Sequence, residues 1–276
     1  MKWLQAFKFV TPKHKYAIDA KALGDDAECA WSNLGYWNHA DDSYPEACRQ
    51  LADHLADSIH LTSNDRLLDL GCGQGASVLH WKNYYKIQNI TAVELQVACV
   101  AKIQQKQIDH FNIYCGSFLN LKQIQLNSQF DAILCIDAAY HSPLHSFLES
   151  VSFVLKPEGR LAFHTLMLSE KFSQLNALQQ AKYRFLLKCA DVRLADLMLK
   201  PKLAQCLSHH AYDHIQIEDL SEPVLNGFSK YIQARKQHTA FKGLDGVKIE
   251  MTAKLCKMLY EEGIVRYVQV SAEKQL

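Results

Sequence analysis

The run Arg66-Leu67-Leu68-Asp69-Leu70-Gly71-Cys72-Gly73-Gln74-Gly75 constrains the fold more than any other stretch of the chain. Leu67, Leu68, Asp69 and Leu70 read as the end of a buried parallel strand. Gly71, Gly73 and Gly75 then make a tight turn into a helix expected from about Ala76 to Tyr85. Glycine has no Cβ, so the backbone can bend sharply and a ligand can lie against it. The helix start offers unpaired N–H groups and a positive dipole end to an anionic group. This order places a nucleotide-type site at the first crossover of a doubly wound sheet. A strand–turn–helix without ligand is the plainer alternative, but closely spaced glycines would weaken an ordinary helix start.

Two ligand classes fit the turn. Gly71, Gly73 and Ala76 satisfy the dinucleotide pattern G-x-G-x-x-G/A. Asp69 weighs against it. A carboxylate two residues before the first glycine is expected to point toward the ligand mouth, where it would repel a pyrophosphate and attract an ammonium group. S-adenosylmethionine carries an ammonium on its methionine end, so Asp69-x-Gly71-x-Gly73-x-Gly75 fits it better.

The 276 residues suit one large domain, or one domain with an inserted cap. Thirty basic residues oppose twenty-nine acidic ones, so charge gives no support for nucleic-acid binding. No apolar stretch is long enough to span a bilayer, and residues 1–10 do not read as a signal peptide. Nine scattered cysteines, with no C-x-x-C pair, imply reduced thiols in a cytoplasmic setting and argue against a zinc site or a disulfide frame. Thirteen histidines form neither an H-E-x-x-H run nor a zinc-finger-like H-x₃₋₅-H pair beside a cysteine pair, and His209-His210 reads as a solvated helix end.

Residues 1–30 read as irregular or partly helical, and 31–45 as an aromatic-rich segment. A helix follows from Pro45 to about His60. Strand two is Ile90 to Leu95, followed by a helix from Val97 to His110. Strand three is Asn112 to Gly116 and strand four Phe130 to Ile136. A helix from His145 to Leu155, a turn at Lys156-Pro157-Glu158-Gly159 and strand five, Arg160 to Thr165, complete a βαβαβ alternation. Residues 169–211 read as helical, with His214 to Glu218 a returning strand. Pro223 to His238 and Ile249 to Glu262 read as helices, and Val265 to Val270 as a closing strand. The expected organisation is a cofactor-covering segment over 1–60, a cofactor-binding core over 61–168, a helical lid over 169–262 and a closing strand within 263–276. The lid reading rests on doubly wound sheets binding ligands at the carboxyl ends of their strands.

The strand ends supply the candidate site residues. Glu94, ending strand two beside Leu95, can accept hydrogen bonds from both hydroxyls of a ribose. Ser117 and Phe118, after strand three, offer a polar contact and an apolar face to an adenine. Asp137, Tyr140 and His141 follow strand four, beside strand one. His141 can take a proton at neutral pH, or serve as a hydrogen-bonded structural residue. His164, at the end of strand five, either lines the acceptor pocket or packs beneath the lid. In the patch Trp31 to Asn38, the three aromatics Trp31, Tyr36 and Trp37 around Gly35 either close over a cofactor or anchor the segment.

Together these residues resemble the class I S-adenosylmethionine-dependent methyltransferases. The run from Leu67 to Gly75 matches their first motif, Glu94 their second and Phe130 to Asp137 their fourth. Leu155 to Arg160 looks like the turn before their fifth strand. Their third motif usually carries an acidic residue where this chain has Ser117. The patch at Tyr36-Trp37 and the run from Ala138 to His141 are similar to small-molecule members: sarcosine-type N-methyltransferases, macrolide-sugar O-methyltransferases and cyclopropane fatty acid synthase relatives. The resemblance implies a Rossmann-like, mostly parallel seven-stranded sheet with helices on both faces. It implies S-adenosylmethionine as cofactor, S-adenosylhomocysteine as product and a small-molecule acceptor, with no metal. His141, with Tyr140, would be catalytic, and Tyr36 and Trp37 would help cover the cofactor. A monomer or homodimer without nucleic-acid partner or stable membrane insertion is expected. A protein that holds S-adenosylmethionine without turnover and a dinucleotide-dependent oxidoreductase remain the alternatives.

Overall fold

The computed structural model describes residues 19–106, 108–126, 128–238 and 241–276. The expected irregular or helical segment over 1–18 lies outside them. The first helix, α1 (Tyr44–Asp57), has Pro45 in its first turn, and the Glu46 carboxylate accepts from the Ser43 N–H at 3.0 Å. Alternating strands and helices follow: β1 (Arg66–Leu70), α2 (Ala76–Asn83), β2 (Asn89–Glu94), α3 (Val97–Gln104), β3 (Phe111–Cys115), β4 (Phe130–Cys135), α4 (Leu144–Val154) and β5 (Leu155–Leu168). Then come α5 (Ala177–Cys189), α6 (Lys200–His209), β6 (Tyr212–Asp219), α7 (Gly227–His238), α8 (Gly243–Glu262) and β7 (Val265–Lys274).

The seven strands form one sheet in the order β3-β2-β1-β4-β5-β7-β6. β1 to β5 are parallel, and β7 runs antiparallel between β5 and β6. The chain order reverses between β1 and β4, which opens a crevice at their carboxyl ends. Successive strand residues face opposite ways. Leu67, Ala92, Ala132 and Leu134 pack under α1, α2 and α3, with Trp81 fully buried among them. Leu68, Val93, Ile133 and Phe163 pack on the other side with α4 and with Leu203 and Leu207 of α6. A third apolar cluster joins α5, α7, α8 and the start of α1 to the ends of β5 and β7.

The sheet differs from expectation at Lys156 to Gly159. These residues continue β5 through a bulge, with Phe130 paired to Leu155 and Ala132 to Arg160. Glu158 takes a φ of 59°, and the extra residues bend the strand without ending it. Residues 169–211, expected to be helical, contain α5 and α6 separated by irregular chain and single turns. The helix expected from Pro223 begins as a wide turn at Glu222–Asn226, running into α7.

Candidate functional site

The three motif glycines have φ values of 74°, 54° and 92°, which non-glycine residues rarely adopt. A Cβ on Gly73 would lie 2.7 Å from Ser32 Oγ, and one on Gly75 2.7 Å from Ile103. The turn is therefore closed from above by the segment preceding α1 and from behind by α3. The Gly71 N–H donates to Val93 O at 2.8 Å, tying the turn to β2. The Gly73 N–H donates to Glu94 Oε2 at 2.9 Å, and the Gln96 N–H donates to Glu94 Oε1 at 2.9 Å. Two backbone donors thus fix the Glu94 carboxylate beside the glycine turn.

A cavity of about 1080 Å³ opens at this edge. Gly71, Gly73, Glu94, Leu95, Ser117 and Phe118 line it across β1 to β3. Ser117 caps the turn that carries Phe118, its Oγ accepting from the Leu119 N–H at 3.2 Å. Asp137, Tyr140 and His141 line the part beyond β4, facing the end of α5 and much of α8. The volume lies just above the usual range of about 300–1,000 Å³ for small-molecule sites, so two ligands can share it.

Asp137, expected to bind cofactor, is the organising side chain of the cavity beyond β4. Its Oδ2 accepts from the Leu34 N–H at 2.9 Å, and its Oδ1 accepts from the hydroxyls of Tyr140 at 2.6 Å and Tyr267 at 3.0 Å. Burial pushes its pKa up to about 6, and these hydrogen bonds hold it from rising further. Its φ of 50° is an uncommon left-handed value for aspartate, held by this network. The Tyr140 ring packs 4.5 Å from the His141 ring, and burial raises its hydroxyl pKa well above the ordinary value. His141 Nδ1 lies 3.2 Å from the carbonyl oxygen of Asp191, just beyond α5.

Four placements differ from expectation. Asp69 does not face the mouth: it is 1% exposed, and its Oδ2 accepts from the Trp81 indole N–H at 2.8 Å behind the turn. Burial raises its pKa to about 6. Because β-strand side chains alternate, the residue two before the turn is committed to the helix-covered face. His164 is fully buried, with Nδ1 accepting from the Asp137 N–H at 3.3 Å and Nε2 at 3.3 Å from Gln269 Oε1. Burial lowers its pKa to about 3, so it is a neutral core histidine rather than an acceptor-pocket wall. Tyr36 stacks on His54 at 5.0 Å, and Trp37 on Tyr231 at 4.3 Å. Neither lines the cavity; both anchor the segment. A Cβ on Gly227 would lie 2.6 Å from Trp37, which is why α7 starts with glycine where the indole presses on it. Gly75 also stands off the cavity wall and serves the start of α2.

The first half of the patch 31–38 supplies the cavity wall: Trp31, Ser32, Asn33 and Leu34 line it, whereas Tyr36 and Trp37 do not. Asp191 and the α8 residues Lys248, Thr252 and Leu255 carry no motif, and only the chain's return path brings them to the edge.

The family model described as a methyltransferase domain matches residues 68–163, from β1 to β5. The erythromycin 3''-O-methyltransferase of Saccharopolyspora erythraea is 29% identical over 164 residues, covering 55% of this chain and 53% of that protein. The 27-O-demethylrifamycin SV methyltransferase of Amycolatopsis mediterranei is 29% identical over 162 residues, covering 53% of this chain and 56% of that protein. The chain thus spans about half the length of the curated relatives it matches. A cyclopropane synthase of Mycobacterium tuberculosis superposes with a TM-score of 0.72 at 17% identity, covering 96% of this chain and 99% of that one. Residues 68–163 thus match a methyltransferase domain model, and the seven-stranded sheet has the fold of the solved cyclopropane synthase. Both curated relatives are named as methyltransferases, and a sarcosine dimethylglycine methyltransferase of Galdieria sulphuraria shares the fold with a TM-score of 0.70 at 15% identity, covering 88% of this chain and 93% of that one.

Proposed function

We propose that the chain transfers the methyl group of S-adenosylmethionine to a small-molecule acceptor, without a metal and in the cytoplasm. One observation carries this reading: a single cavity contains the glycine turn with its fixed Glu94 carboxylate and, beyond β4, the His141–Asp191 contact. The residues present fit the cofactor. Gly71 and Gly73 leave a backbone cradle, Glu94 is held to receive ribose hydroxyls, and Phe118 supplies an apolar face for an adenine. Bound there, the cofactor supplies an electrophilic sulfonium methyl.

This chain's residues do the rest. Ser32 to Leu34, tied down through Asp137, exclude water from above the glycine turn. α5 and α8 act as the lid within 169–262, whereas α6 and β6 build the sheet's far side. An Nδ1–H donated to Asp191 O leaves the basic lone pair of His141 on Nε2, which takes the acceptor's proton or orients it. Tyr140, held by Asp137, supports the His141 ring and does not titrate near neutrality. Placement against the methyl contributes most of the rate. All nine cysteines are unpaired, and among the described residues no helix is long and apolar enough to cross a membrane. Both facts support the cytoplasmic setting, and a monomer or homodimer is the expected state.

Incubation with methyl-labelled S-adenosylmethionine and a panel of hydroxylated, amine and unsaturated small molecules tests the proposal. Label in a small product supports it. S-adenosylhomocysteine binding with no transfer to any acceptor favours the holding protein without turnover.

A further inference from the structure

A second hollow, of about 350 Å³, lies between α4 and α6, away from the large cavity. In it, ligand atoms of His145, Cys206 and His210 all lie within 4.8 Å of one another. We propose that these three side chains form a site for a borderline-soft divalent cation, with Zn²⁺ the best match. The donor set carries the choice. One thiolate and two imidazoles, with no carboxylate, suit zinc and disfavour magnesium or calcium.

The local structure is arranged for this. Cys206 and His210 stand four residues apart at the end of α6, so they share one face. His145 comes from the first turn of α4, its ring 4.6 Å from that of His210 and inclined at 64°. His210 Nδ1 lies 2.8 Å from the Cys206 carbonyl oxygen. An N–H donated there puts the basic lone pair on Nε2 and fixes the ring, as the outer hydrogen bond of a metal-bound histidine does. Zinc bonds of about 2.0–2.3 Å put ligand atoms roughly 3.5 Å apart, so side-chain rotation of about an ångström closes the site. The α6 carboxyl end favours a cation by its dipole. Lys202, on the rim, is exposed and can turn to water.

Binding displaces the Cys206 thiol proton to solvent and forms a zinc–sulfur bond, with a water as the fourth ligand. The consequence is a clamp. α4 begins directly after the turn that carries Tyr140 and His141, so a bound ion ties that turn's supporting helix to α6.

Full-length protein, stripped with chelator and kept reduced, is titrated with Zn²⁺ against a chromogenic chelator. One ion per chain is expected, at micromolar affinity or better. His145→Ala, Cys206→Ser and His210→Ala should each weaken binding at least about tenfold, the scale of losing even an outer-shell partner. Cobalt in place of zinc should show a thiolate charge-transfer band that Cys206→Ser abolishes and the control Cys115→Ser keeps. His145 is exposed, so His145→Ala should fold, with an unchanged circular dichroism spectrum. Equal affinity in the three variants, meaning an adventitious ion only, or no binding tighter than about 100 μM, overturns the site.

Discussion

The backbone N–H of Leu34 donates to the carboxylate of Asp137 at 2.9 Å, joining the covering segment to the end of β4 across a hundred residues of chain. The same carboxylate accepts from Tyr140 and Tyr267, so one half-buried group aligns cover, candidate base and closing strand. Removing it leaves three donors without their acceptor. Asp137→Ala should therefore cost about 2–4 kcal/mol of stability, given roughly 1–3 kcal/mol for each unsatisfied buried group and partial rescue by water. A urea midpoint equal to that of the unmodified protein would refute this role.

Glu94 and Asp69 should respond differently. Glu94→Gln keeps the shape and weakens the charge offered to the ribose, so S-adenosylhomocysteine affinity should fall about tenfold to a hundredfold in isothermal titration, about 1.5–3 kcal/mol. Asp69→Asn, behind the turn, should lower the melting temperature more than it lowers affinity. The reverse ranking would place Asp69, rather than Glu94, against the ligand.

His141→Ala should reduce turnover roughly 10²–10⁴-fold with cofactor affinity nearly unchanged, if the ring moves a proton. Asp191→Ala keeps the backbone carbonyl that the ring contacts, so it should retain more activity than the histidine variant. Full turnover in His141→Ala would assign catalysis to placement alone.

His164 should leave a signature in the pH dependence of stability. Its folded pKa, about 3, lies below the unfolded value of about 6.5. Stability linked to it is complete above about pH 6.5 and falls with acidification, by about 1.4 kcal/mol per pH unit, until the folded pKa is reached. Asp69 and Asp137, both raised to about 6, act the other way: their protonation stabilises the fold as pH drops. His164→Gln keeps hydrogen-bonding capacity and removes only the histidine's proton linkage. The variant should lose less stability than the unmodified protein between pH 6.5 and 4.5, read from urea midpoints. Parallel curves would show that His164 titrates normally.

Local patterns were enough to locate the strands, the glycine turn and the acidic residue that ends β2. Apolar runs, glycine conformational freedom and strand alternation are properties of neighbours in sequence, and the run from Arg66 to Gly75 contains all three. The same chemistry drew attention to Asp137, Tyr140 and His141 after β4. Orientation was another matter. Whether Asp69 faces ligand or Trp81, and whether His164 faces the cavity or Gln269, depends on which helix covers that face of the sheet. Tertiary structure alone decided that Trp31 to Leu34 cover the site while Tyr36 and Trp37 anchor it. It alone brought Asp191 to His141, and His145 to Cys206 and His210. These pairs are distant in the chain, and no local periodicity records a contact made only when separate helices pack on one sheet.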